Sequence, residues 1–79
     1  MNSTGAIEII DKCLRDKLGP RIPELTPDKR IDDFNLDSLD TVAFIMAIED
    51  EANIKIPDEA AEGWVTIQDV VNTIVELTK

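Results

Sequence analysis

The sequence has no histidine and a single cysteine, Cys13, among its 79 residues. Without histidine there is no His-dependent catalytic triad and no histidine zinc site, and one cysteine allows neither an internal disulfide nor a thiolate metal cage. Basic residues are few as well: eight against 17 aspartates and glutamates, for a net charge of −9. So acidic a chain repels nucleic-acid phosphates and anionic lipids, so neither nucleic-acid nor membrane-surface binding is expected. Its partners should be basic proteins or cations. No apolar run approaches the ~20 residues of a membrane span, and residues 1–10 lack the charged and long apolar regions of a secretory signal. The expectation is a cytoplasmic monomer that does not insert into membranes, with one reduced thiol.

What the chain does contain is helical periodicity. Ile7, Ile10, Leu14 and Leu18 recur at steps of three and four behind Ser3 and Thr4, which can cap a helix over residues 4–18 that Gly19 and Pro20 stop. Residues 20–36 carry Pro20, Pro23 and Pro27 without a sustained period, although Ile22, Leu25, Ile31 and Phe34 can be pinned onto a core. So long a connection is usually functional or locally ordered. From Leu39 to Ala52 the apolar run is too long for an ordinary strand and predicts a largely buried second helix, with Leu39, Val42 and Met46 on one stripe. Asp37 is its predicted N-cap, Asp40 adds negative charge to the first turn, and Ser38 becomes the first helical residue. Asn53 can end it in the left-handed conformation. A short helix follows Pro57 and closes at Gly63. Thr66 opens the last helix with Asp69 at N3 and Val65 placed to staple onto Val70, and Ile67, Val70, Val71, Ile74 and Leu77 form its buried stripe. The fold class is all-α: a small four-helix bundle, three main helices and one short one, with a long loop between helices one and two, as a single domain over residues 1–79.

Two chemistries can be tested against Ser38 and its surroundings. Asp33, Asn35 and Asp37 match the first three ligand positions of a calcium loop, but the sixth and twelfth positions hold Ser38 and Phe44 where glycine and glutamate are needed. No dedicated metal site is expected. A serine nucleophile needs an adjacent base, and there is no histidine and no lysine near Ser38 in sequence, so the protein is not expected to be an enzyme. Ser38 does offer a hydroxyl at the first turn of a helix, where backbone amides and the dipole stabilise a phosphate.

Asp37-Ser38-Leu39, within Phe34-Asn35-Leu36-Asp37-Ser38-Leu39-Asp40-Thr41-Val42, resembles the Asp-Ser-Leu attachment motif of acyl carrier proteins. The resemblance continues through Met46-Ala47-Ile48-Glu49-Asp50-Glu51 and Ile54-Lys55-Ile56-Pro57-Asp58-Glu59 to the Thr66 helix, so it covers nearly the whole chain. It implies that Ser38, flanked by Asp37 and Leu39, receives 4′-phosphopantetheine from coenzyme A through a phosphopantetheinyl transferase (a holo-acyl-carrier-protein synthase). The arm would carry acyl groups as thioesters to ketosynthases, reductases or acyltransferases of fatty acid or related lipid biosynthesis, in bulk synthesis or in a specialised pathway. Recognition would use the acidic face of Asp37, Asp40, Glu49 and Asp50 against basic residues on partners. The implied acyl pocket is lined by Phe44, Ile45, Met46, Ile56, Ala61, Trp64 and Ile67. The same attachment chemistry serves polyketide and aminoacyl or peptidyl carriers. An unmodified acidic adaptor is the alternative from a different class.

Four positions depart from the pattern familiar in carriers of bulk fatty acid synthesis. Asn35 replaces a glycine, and asparagine tolerates left-handed backbone. Ala43 leaves a neutral gap in the acidic stripe. Ala52 stands where a large aromatic is common and Trp64 where a smaller aliphatic is usual, which reads either as a volume exchange within one core or as a reshaped acyl pocket. Cys13, between the apolar and polar faces of the first helix, reads as a packing residue.

Overall fold

The computed structural model describes residues 2–19, 25–34 and 36–79 of the chain. The predicted turn at Asn35, and Pro20, Ile22 and Pro23, lie outside them. The first helix, α1, is Ser3–Leu18. Its cap is Asn2 rather than Ser3 or Thr4: the Asn2 side chain accepts the Gly5 N–H at 2.8 Å, which satisfies one of the four orphan amides at a helix start. Gly19, at φ 84°, ends it by donating its N–H to the Arg15 carbonyl at 2.8 Å. The buried face is Ala6, Ile10, Cys13 and Leu14, and Ile7 is only half-buried.

Part of the long connection is ordered, as its apolar residues suggested. Ile31–Phe34 forms a 3₁₀ helix that buries Phe34. The connection is also sewn to the start of the last helix, α4 (Ile67–Leu77). The amides of Ile67 and Gln68 donate to the carbonyls of Lys29 and Pro27 at 2.8 and 2.9 Å, and Ile31 returns its N–H to Val65 at 3.0 Å. First-turn amides have no partner inside their own helix, so the loop supplies acceptors that α4 needs.

The second helix, α2, is Ser38–Ala52, begun by Asp37 and ended by Asn53 in the left-handed region at φ 56°, ψ 50°. It is not the largely buried helix that its composition predicts. Phe44 and Ile48 are its buried residues, whereas Leu39, Val42 and Met46 are 80%, 54% and 58% exposed. The reason is geometric: α1 packs on both α2 and α4, so one side of α2 is covered while a second apolar stripe faces solvent. The short helix α3, Asp58–Glu62, follows Pro57 and stops at Gly63 with φ −84°, a right-handed conformation that any residue could adopt.

The α4 cap is the capping box read from the sequence. The Thr66 hydroxyl accepts the Asp69 N–H at 3.3 Å, and the Asp69 carboxylate accepts the Thr66 N–H at 3.0 Å and that of Val65 at 2.9 Å. Val65 is half exposed and Leu77 39% exposed, so the buried stripe of α4 is Ile67, Val70, Val71 and Ile74. The Thr66 N–H, and after it that of Val65, hold the Asp69 carboxyl below the usual carboxylate range. A group whose pKa is lowered on folding contributes stability above its unfolded pKa, and the contribution disappears as pH falls through the folded value. Thermal melts of the wild type should therefore lose stability between pH 5 and pH 2 more steeply than those of Asp69→Asn, whose cap does not titrate. Parallel pH profiles would remove the carboxylate from the account of acid sensitivity.

The core joins the α1 face to Phe34, Phe44, Ile48, Ile56 and the α4 stripe. Cys13 belongs to it at 3% exposure, in agreement with a packing role. Burial, and after it the charge of Glu51, pushes the Cys13 thiol up to about 11.

Candidate functional site

Asp37 builds the site from its cap position. Its extended backbone, at φ −82° and ψ −175°, turns the chain into α2, and its carboxylate accepts the Asp40 N–H at 2.8 Å. Its carbonyl accepts the Thr41 N–H at 2.9 Å and the Thr41 hydroxyl at 2.8 Å. These bonds fix the first turn and leave Ser38 exposed as its first residue. The amides of Ser38 and Leu39 are two of the four that a helix start cannot satisfy internally, and among the described residues no acceptor is found for them. They lie at the positive end of the α2 dipole, so an anion carried on the Ser38 oxygen is stabilised there. The exposed hydroxyl and these two first-turn amides fit a phosphodiester, with Asp37 and Asp40 keeping the rim of the site negative.

Downstream of Ser38 the exposed stripe of Leu39, Val42 and Met46 runs at positions i, i+3 and i+7. By helical period Glu49 and Asp50 fall on either side of its far end. Asp50 is exposed and Asp40 half-buried. Glu49 has a structural task as well: its carboxylate accepts the backbone N–H of Ile56 at 2.8 Å and ties the segment before α3 to α2.

Beside the stripe lies a groove of about 310 Å³ between α2 and the segment entering α3, lined by Val42, Ile45, Met46, Glu49, Lys55, Ile56 and Asp58. A second groove of about 250 Å³, lined by Thr41, Ile45, Asp58, Ala61 and Glu62, shares Ile45 and Asp58 with it. Of the residues assigned to an acyl pocket, Ile45, Met46 and Ile56 thus meet in the first groove and Ala61 joins in the second. Phe44 and Ile67 are buried in the core. Trp64 is half-buried with its ring edge-on to Phe44, centroids 6.4 Å apart and planes at 69°.

A sequence model of the family described as "Phosphopantetheine attachment site" matches residues 3–74. Proteins named "Acyl carrier protein" from three Clostridium perfringens strains, among them strain 13 and strain SM101, are each 45% identical over 71 residues, covering 89% of this chain and 93% of the relative. The chain belongs to the acyl carrier protein family. Its prosthetic group is a covalently attached 4′-phosphopantetheine, and the family's partners include phosphopantetheinyl transferases and acyl-processing enzymes. Among the described residues of the carrier, no helix is long and apolar enough to cross a membrane.

Sequence reasoning missed two features of the site. The outward stripe of α2 was visible only as an excess of apolar residues, since a helix with two apolar stripes and one core must expose one of them. The bond from Glu49 to the Ile56 amide had a weaker signal: Ile56 precedes a proline in an extended segment, and its N–H needs an acceptor from outside that segment.

Proposed function

We propose that Ser38 carries the 4′-phosphopantetheine arm and that residues 1–79 act as one carrier domain, a shuttle rather than an enzyme. The observation that supports this best is the exposed Ser38 hydroxyl at the first position of α2, behind the Asp37 cap and inside the matched family segment. A phosphopantetheinyl transferase would join the Ser38 oxygen to the phosphate of the arm taken from coenzyme A. When bound, the arm supplies a thiol that holds acyl groups as thioesters. The chain's own contributions are position and recognition. Asp37 fixes the turn, the Ser38 and Leu39 amides face the phosphate, and tethering raises the effective concentration of cargo at a docked enzyme.

Docking uses Asp37, Asp40 and Asp50, with Glu49 sharing its charge between partners and the Ile56 amide. The stripe of Leu39, Val42 and Met46 adds apolar area to this face. Together they suit a surface with basic residues around an apolar patch, as on ketosynthases, reductases or acyltransferases of fatty acid or related lipid biosynthesis. Charge steers such encounters and the apolar stripe contributes area. The seven residues from Phe44 to Ile67 named as an acyl pocket form the shelter for cargo, with Ile45, Met46, Ile56 and Ala61 at its mouth. A monomer in the cytoplasm completes the reading. Incubation with coenzyme A and a phosphopantetheinyl transferase should add one phosphopantetheine per chain by intact mass. A chain that stays at its unmodified mass under conditions that convert another carrier would make it an acidic adaptor instead.

A further inference from the structure

Trp64 is held at three points, each on a different element. Its backbone N–H donates to the Ala61 carbonyl of α3 at 3.1 Å. Its ring meets Phe44 of α2 edge-on. Its Nε1–H donates to the Thr73 hydroxyl of α4 at 2.9 Å. Thr73 is itself fixed, because the hydroxyl donates to the Asp69 carbonyl one turn back at 3.1 Å and so presents a lone pair to the indole. α3 has a groove on each side. Ile45 and Ala61 line the 250 Å³ groove on the α2 side, and Ala60, Thr73 and Leu77 help line one of about 370 Å³ on the α4 side. Trp64 lines neither groove itself, but its anchors tie it to Ala61 in the wall of the first and to Thr73 in the wall of the second.

We propose that Trp64, locked by the Thr73 hydroxyl, is the partition that stops an acyl chain at the inner end of the α2–α3 groove and restricts this carrier to sheltering short and medium chains. The inference rests on the carrier reading given above. The groove is finite, about 250 Å³, so only the first part of a long chain finds cover in it. Each methylene that finds cover multiplies the sheltered population about fourfold, so stabilisation by cargo rises with chain length until the groove is full. Beyond that length the chain meets the indole and its remaining methylenes stay in water. Thr73 is a positioning residue here: it holds the wall and does not touch the arm.

The test compares butyryl, octanoyl and hexadecanoyl forms of the wild type, Trp64→Leu and Thr73→Val, loaded from the corresponding acyl-coenzyme A by a phosphopantetheinyl transferase. The readout is the melting temperature of each acyl form relative to its own holo form. Thr73→Val keeps the indole and the branched shape at position 73, so it is informative even if Trp64→Leu folds poorly. In the wild type the gain should rise from butyryl to octanoyl and then level off. In the variants it should continue to rise toward hexadecanoyl, because the two grooves become one passage. The same plateau in all three proteins, or a wild-type gain that still climbs at hexadecanoyl, would overturn the partition while leaving the carrier reading intact. Failure of every protein to accept an arm by intact mass would overturn the carrier reading, and the partition with it.

Discussion

Ser38→Ala should abolish modification completely: intact mass should stay at the unmodified value under conditions that convert the wild type. The fold should survive, because position 38 is exposed at the first residue of α2 and alanine is the best helix former. Thermal and urea unfolding should differ from the unmodified wild type by no more than about 0.5 kcal/mol, the range of surface substitutions. The paired measurement separates two meanings of a lost modification. An alanine variant that is unmodified and unfolded would say only that the transferase needs a folded helix, whereas one that is unmodified and fully folded assigns the missing bond to the Ser38 oxygen. An alanine variant that still gains the arm would move the attachment to another residue.

The second large effect lies in the core that presents Ser38. Phe44 is 2% exposed and is the aromatic partner of Trp64. Phe44→Ala removes a buried ring and leaves a cavity, at a typical cost of about 3 to 5 kcal/mol. A chain of 79 residues has about 4 to 12 kcal/mol of stability in total, at roughly 0.05 to 0.15 kcal/mol per residue. The urea midpoint should fall by about a quarter or more, and the variant should be partly unfolded in water if the wild type lies at the low end. Its capacity to accept the arm should fall with its folded fraction, since an unfolded α2 presents neither the Asp37 turn nor the first-turn amides. A loss below about 1 kcal/mol would mean that the ring is not packed as the structure has it.

The contrast between these two positions explains what could be read in advance. Asp37, Asn53 and the Thr66–Asp69 box are local chemistry, in which a side chain and an amide a few residues away satisfy each other whatever surrounds them. The start of α2, and with it the place of Ser38, was therefore legible from the sequence together with its likeness to a known motif. The cap of α1 was misplaced by one or two residues because Asn2, Ser3 and Thr4 are all competent and only the backbone selects among them. The orientation of α2 was not local. Leu39, Val42 and Met46 are as apolar as Phe44 and Ile48, and which stripe turns inward depends on where α1 and α4 lie. The same holds for the loop that gives its carbonyls to Ile67 and Gln68, a pairing across more than 35 residues that no periodicity announces. Trp64 was visible as an unusual residue, but its hydrogen bond to Thr73 belongs to the geometry of two helices.

The buried Cys13 has a consequence for a molecule whose cargo travels as a thioester. Such cargo moves by exchange with a thiolate, and any accessible thiolate on the carrier would compete with the enzymes for it. With its thiol pushed up to about 11, about one Cys13 in ten thousand is ionised at neutral pH, and the residue is closed off inside the bundle. The chain's own sulfur is thereby chemically silent toward the load. A carrier built this way holds two thiols of opposite character once the arm is in place, one open to exchange and one shut out of it, so an acyl group can leave for an enzyme but cannot be captured by the protein that bears it.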